Sequence, residues 1–263
     1  MLASAHSHAR EWGRAGQRQA LLLHCSNAHS GSWSGVAEQL QGRLHLRAVD
    51  LPGHGRAPDW DETQDFHSQA TAMARSALDA PVDLIGHSMG ATVALRIACE
   101  TPELVRSLTL IEPVFFAAAK EAGSAEFARH WEDFQPFVAA VKEGCKEQAA
   151  AAFTAIWGTG QVWLDLPQNQ RSFICARIHL IVAAVPQIYH DRAGVLAGNK
   201  LEALSMPVRL IRGQESPAII ADIHAALLAR MPFAQEGTIM GARHMAPVTH
   251  AMPVAQEIST FLF

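Results

Sequence analysis

The stretch V-D-L-I-G-H-S-M-G-A-T-V-A-L-R-I-A-C-E, from Val82 to Glu100, constrains the fold more than any other part of the chain. A short apolar run of strand character enters G-H-S-M-G and leaves as a helical pattern that is apolar nearly all round, as suits a helix buried against a sheet. The pattern stops before Pro102, because the residue ahead of a proline disfavours helix. Gly86 and Gly90 remove side chains that would collide in so tight a strand-to-helix turn, and Ser88 is thereby pushed into the open. A G-x-S-x-G string alone is weak evidence, since a chance glycine turn with an idle serine also satisfies it. Placed between a strand and a buried helix, it is specific.

Other apolar runs recur along the chain: A-L-L-L-H at 20, L-H-L-R-A-V at 44, V-R-S-L-T-L-I at 105 and V-R-L-I-R at 208. Segments of helical length lie between them, at Thr63 to Leu78, Met89 to Glu100 and Pro217 to Met231. Alternation of this kind predicts an α/β fold, a mostly parallel sheet flanked by helices, with ligands bound at the carboxyl ends of the strands. After Pro113 about ninety residues pass with no convincing strand before Pro207. This stretch is rich in alanine and in aromatics such as Phe116, Trp131, Phe134, Phe153 and Trp157, more apolar bulk than a connector needs. The expected organisation is therefore a core of residues 1–113 and 207–263 with an inserted helical cap, 114–206; a plain helical subdomain is the bland alternative. With 263 residues, 49% hydrophobic and 17% charged, the chain can bury a core of that size.

A net charge of −4 with no dense Lys/Arg run argues against a nucleic-acid partner. The opening M-L-A-S-A-H-S-H-A-R-E-W lacks the apolar core of a secretory signal, and no later apolar run reads as approaching the length needed to span a bilayer, so no membrane partner is expected. Cys25, Cys99, Cys145 and Cys175 are widely spaced with no C-x-x-C, which leaves little room for a disulfide framework or structural zinc and fits a reducing cytoplasm. His54 and the H-S-H at 6 to 8 invite a metal reading, but each lacks the converging ligands a metal requires.

Serine at neutral pH is a poor nucleophile, so Ser88 requires a base within hydrogen-bond reach and donors for a developing oxyanion. The loop G-A-R-H-M-A-P-V-T-H follows the last strand-like segment and offers His244 as the base. His250 sits where the terminal helical pattern starts and reads as a solvated or capping residue; His87 reads as packing for the turn. His24, at the end of a buried strand, can organise the neighbouring loop or simply be satisfied there.

The chain resembles the α/β-hydrolase superfamily, in particular its compact esterase-like members with a helical cap. L-L-L-H-C-S followed by Trp33, D-L-P-G-H-G at 50, G-H-S-M-G at 86, L-I-E-P at 110 and G-A-R-H-M at 241 occur in the family order and span nearly the whole chain. The resemblance implies Ser88 as nucleophile, His244 as general base, and an oxyanion hole formed by the backbone N–H groups of Met89 and Ser26. It implies no cofactor. The family usually has His-Gly where this chain has His24-Cys25; nothing local marks Cys25 for thiolate activation.

In much of the family an aspartate that orients the histidine stands in a G-x-x-D pattern after the penultimate strand. Here that pattern reads Gly213, Gln214, Glu215, Ser216. Ser216 ahead of Pro217 has the look of a helix N-cap. Glu215 is one residue out of place and ranks second. Glu112 ranks first: it follows the strand next to the nucleophile's strand, a position some lipases of the superfamily use, and the order Ser, acid, His is kept. The bland reading of Glu112 is a strand-end cap.

The leading functional expectation is a serine hydrolase that cleaves a small, largely apolar ester, lactone or related acyl substrate through an acyl-enzyme, with a small molecule as partner and a homo-oligomer left open. Related Ser/His chemistry, in C–C hydrolases, lyases or perhydrolases, is the first alternative. A non-catalytic, receptor-like member of the fold, suggested by the displaced acid, is the second.

Overall fold

The computed structural model describes residues 9–263, and its seven strands form one sheet in the spatial order 1-3-2-4-5-6-7. In chain order the core opens with β1 (Ala9–Trp12), β2 (Arg18–Leu23), α1 (Ser34–Leu40), β3 (Leu44–Val49), α2 (Phe66–Arg75), β4 (Val82–His87), α3 (Met89–Glu100) and β5 (Val105–Ile111). Five helices follow: α4 (Phe116–Glu121), α5 (Ala125–Asp133), α6 (Gln135–Lys142), α7 (Lys146–Trp157) and α8 (Gln168–Ile188). The chain then returns to the sheet with β6 (Val208–Gly213), α9 (Ala218–Leu228), β7 (Ala234–Ile239), α10 (Ala246–Thr249) and α11 (Ala251–Leu262). β1 runs antiparallel to β3, and every other neighbouring pair is parallel.

Side chains alternate across each strand, and the strands are apolar on both faces because helices cover both. Leu21, Leu23, Leu84, Leu110 and Leu210 join a core beneath α2, α3 and α9. Their neighbours Leu22, Ile85, Ile111 and Ile211 join a second core beneath α1 and α11. α3 is buried along nearly all its length, which accounts for its lack of a polar face. The charge within β4, Asp83, lies near the amino end of the strand, where Arg18, Arg106 and Ser107 neutralise and bond it. That places it at the far end of β4 from Ser88.

The runs beginning at 44 and 105 coincide with β3 and β5, and Met89–Glu100 coincides with α3. β1 was not foreseen: A-R-E-W has neither alternation nor an apolar run, and it pairs through its backbone at the sheet edge. α8 corrects an expectation. It runs for 21 residues and contains an 18-residue window with a mean hydropathy of 1.3, long and apolar enough to cross a membrane by length and composition. Here Ile174, Ile178, Ile181 and Ala184 pack into the core beside α7 and α2. The H-S-H at 6 to 8 and most of the opening segment lie outside the described residues.

Candidate active site

Ser88 terminates β4 with φ 56° and ψ −119°, a backbone conformation belonging to neither helix nor strand. Its N–H donates to the carbonyl of Ile111 at 2.8 Å, and α3 begins at the next residue. A Cβ on Gly86 would run into the backbone of Gly90 and Ala91, and one on Gly90 would strike the carbonyls of Leu23 and His24. The turn therefore needs both glycines, and it delivers the hydroxyl to the carboxyl end of the sheet.

Three chain segments meet there. His244, in the loop after β7, places Nε2 2.9 Å from Ser88 Oγ, and its Nδ1 lies 3.0 Å from Glu112 Oε2. Glu112 ends β5 with φ 51°, its own N–H donating to the Ile211 carbonyl at 2.8 Å. Its second oxygen, Oε1, accepts the Gly213 N–H at 2.5 Å and the Ser216 hydroxyl at 2.6 Å. Ser88, His244 and Glu112 are 6%, 3% and 0% exposed. Burial alone would raise the Glu112 pKa, but the bond to His244 and the donors Ser216 and Gly213 outweigh it and hold the carboxyl below its usual range. An ionised carboxylate can only accept, so His244 carries its proton on Nδ1 and turns the lone pair of Nε2 toward the serine hydroxyl.

Glu215 is exposed and takes no part in this arrangement. Ser216 corrects an expectation as well. The residue in the N-cap position of α9 is Pro217, and the Ser216 hydroxyl is spent on Glu112 instead. The serine thus occupies the place where a G-x-x-D pattern would put an acid, and its hydroxyl bonds the carboxylate of Glu112.

On the opposite side of Ser88, Met89 opens α3, where first-turn N–H groups have no intrahelical acceptor. Ser26 and Met89 border one cavity together with Ser88. The loop carrying Ser26 is tied down by two histidines. His24 Nε2 accepts the Leu51 N–H at 3.0 Å and its Nδ1 donates to the Cys25 carbonyl at 2.7 Å. His54 Nε2 accepts the Asn27 N–H at 3.3 Å and its Nδ1 donates to the Pro52 carbonyl at 2.9 Å. Both rings are thereby committed to backbone groups. His87 bonds the His244 carbonyl through Nε2 at 2.9 Å and steadies the loop that carries His244. Cys25 is buried, its thiol pushed up to about 12 by that burial, and so is not a thiolate nucleophile.

These histidines make stability sensitive to acid. Burial pushes His24 and His130 down to about 4 and His54, His67 and His87 down to about 3, against an ordinary value of 6.5. Between those limits the unfolded chain binds protons that the native chain refuses. Stability is therefore complete above about 6.5 and falls as pH drops through the window toward 3. The urea unfolding midpoint is expected to be clearly lower near pH 5 than near pH 7.5; an unchanged midpoint would contradict the burial of neutral imidazoles.

The helical segment between β5 and β6 supplies most of the remaining walls. Phe116, Phe134, Phe153, Trp157 and Ile181 line the cavity beside Ser88, and the Trp157 ring stands edge-on to His244 with centroids 4.7 Å apart. A second cavity adjoins the first, sharing Ser26, Phe153 and Trp157 with it and adding Asn27 and Met245.

A family model described as the alpha/beta hydrolase family matches residues 20–257. The chain belongs to the α/β-hydrolase family. Curated relatives of this hydrolase include a pimeloyl-[acyl-carrier protein] methyl ester esterase of Methylococcus capsulatus, 27% identical over 93% of this chain and 94% of that protein. A protein of the same description from Nitrosomonas europaea is 40% identical over 35% of each chain. Among solved structures, the enol-lactonase of Burkholderia xenovorans superposes with a TM-score of 0.72 at 14% identity, covering 100% of this chain and 99% of that one. A hydrolase of Pseudomonas aeruginosa superposes with a TM-score of 0.74 at 17% identity, covering 97% and 93%.

Sequence reasoning missed two contacts at this hydrolase's site: the Ser216 hydroxyl on Glu112 and the His54 ring on the Asn27 N–H. Each is a bond that no local pattern encodes. A signal did exist for Ser216, since a residue standing at the family's acid position should point toward the histidine whatever its chemistry.

Proposed function

We propose that this enzyme is a serine esterase that cleaves a small, largely apolar ester through an acyl-enzyme. The observation that carries the reading is the continuous hydrogen-bonded line from Ser88 Oγ through His244 to Glu112. In the first half-reaction Ser88 Oγ bonds to the acyl carbon as its proton passes to His244 Nε2, and the carbonyl oxygen takes up the negative charge facing the N–H groups of Met89 and Ser26. Collapse expels the alcohol, which leaves with the proton from Nε2. Water then gives a proton to Nε2 and attacks the acyl carbon, and breaking the Oγ–acyl bond returns that proton to Ser88. Glu112 keeps its charge throughout, fixing the tautomer and steadying the imidazolium.

The helical segment 114–206 acts as a cap in this reading, because its aromatics line the cavity beside Ser88. The ester bond as target agrees with the named activity of relatives that match over nearly their full length. The non-catalytic reading rested on a displaced acid, and a buried carboxylate bonded to His244 removes its motive. A panel of p-nitrophenyl esters of increasing acyl length tests the proposal. Hydrolysis should rise to a maximum at short or medium acyl chains, as the close aromatic and aliphatic walls beside Ser88 imply, and vanish in Ser88→Ala. Equal rates for wild type and Ser88→Ala would overturn it.

A further inference from the structure

The resting imidazole of His244 is bonded at both nitrogens, to Glu112 through Nδ1 and to Ser88 through Nε2. The second bond does not last through the reaction. Once Ser88 Oγ has bonded to the acyl carbon, Nε2 must turn the proton it has gained away from Oγ and toward the departing oxygen. Through that step the Glu112 bond alone stays in place, and a single hydrogen bond leaves a ring free to rotate about it. A misplacement on the order of 1 Å costs about a hundredfold in rate, so packing has to hold the imidazolium. From the core, His87 lies with its ring centroid 5.3 Å from that of His244. From the segment between β5 and β6, Trp157 comes closer, at 4.7 Å with the ring planes inclined by 70°.

Trp157 is itself firmly held. It is the last residue of α7, is 4% exposed, and packs on the rings of Phe116 and His130 with centroids 5.7 and 5.6 Å away. His130 is fixed in turn by the Tyr189 hydroxyl, 2.7 Å from its Nε2. A buried aromatic cluster thus braces the indole from behind while its other side meets the imidazole. Phe153 provides the contrast. It stands one turn earlier on α7 and lines the same two cavities as Trp157, but its ring neighbour is Phe137, at 6.1 Å. Among the described residues the two aromatics therefore share the cavity wall and differ in contact with His244.

We infer that Trp157 is a positioning residue for His244, holding the imidazolium in place between its gain of the serine proton and its delivery of that proton to the leaving alcohol. This rests on the esterase reading above and deepens it. The segment over the site then does more than wall the cavity: it supplies a surface against which the base works. The effect of Trp157 depends on the leaving group. An alkoxide cannot depart until Nε2 protonates it, whereas a nitrophenolate is stable enough to leave without a proton.

Two esters of similar size test it, benzyl butanoate and p-nitrophenyl butanoate, compared by kcat/KM, which reports the acylation half of the reaction. Trp157→Leu should lower kcat/KM on the benzyl ester at least about tenfold more than on the p-nitrophenyl ester. Trp157→Phe, which keeps a ring against the imidazole, should restore the ratio of the two to within about threefold of wild type. Phe153→Leu, which opens the same cavities, should lower both alike. Because the ratio is taken on one protein sample, a fraction of unfolded chain cancels from it. Equal losses on both esters in Trp157→Leu would overturn the inference, as would a ratio that Phe153→Leu shifts just as far. If wild type cleaves neither ester, nor any in the acyl panel, the esterase reading itself falls. Cleavage of both, with a ratio that Trp157→Leu leaves unmoved, removes only the role of Trp157.

Discussion

Replacing Glu112 with glutamine should lower kcat/KM on a reactive ester by about ten-thousandfold, the loss seen when the corresponding acid of a serine protease becomes an amide. The geometry explains why an isosteric change should be so costly. Glu112 Oε1 accepts two donors, the Gly213 N–H and the Ser216 hydroxyl, so an amide there must keep its oxygen on that side. Its NH2 group is then forced onto the position of Oε2, facing His244 Nδ1. A donor at that point requires Nδ1 to accept, which moves the imidazole proton to Nε2 and leaves no lone pair for the Ser88 proton. Glu215→Gln, by contrast, changes an exposed residue and should leave kcat/KM within about threefold. Reversal of the two results would transfer the orienting role to Glu215 and undo this assignment.

Removal of Ser88 and His244 should show that they act as one unit. Ser88→Ala and His244→Ala should each lower kcat by about a millionfold, and the double variant should lose hardly more than either alone. Among the described residues, His244 Nε2 is the group within bonding distance of Ser88 Oγ, at 2.9 Å, so each depends on the other. Residual turnover in all three variants should be alike, because oriented donors and the cavity remain in each. Losses that multiply in the double variant would mean that the two residues contribute independently. Single-turnover measurement of the acylation step separates this outcome from a change in product release.

The parts of this site legible in the sequence are those that depend on period and on turn chemistry. Ser88 could be read because G-H-S-M-G joins a buried strand to a buried helix, and the structure explains both glycines by what a Cβ would strike. Glu112 could be placed at the end of β5 because L-T-L-I is an apolar run ended by a carboxylate and a proline. What could not be read depends on contacts between distant segments. Ser216 meets Glu112 across 104 positions of chain, and local pattern assigned it to the helix that follows instead. β1 pairs through backbone groups that every residue possesses, so its polar sequence carries no mark of a strand. The length of α8 was missed because its two arginines and scattered polar residues interrupt the run in sequence while still passing the length and composition test for a membrane span.

Covalent labelling by a fluorophosphonate probe, located by mass spectrometry of the digested protein, tests most directly whether the hydroxyl at the elbow is an activated nucleophile. The expected result is one adduct on Ser88, absent from Ser88→Ala and formed far more slowly in His244→Ala. An unlabelled Ser88 at high probe concentration, or labelling of Ser88 at an undiminished rate without His244, would contradict the account.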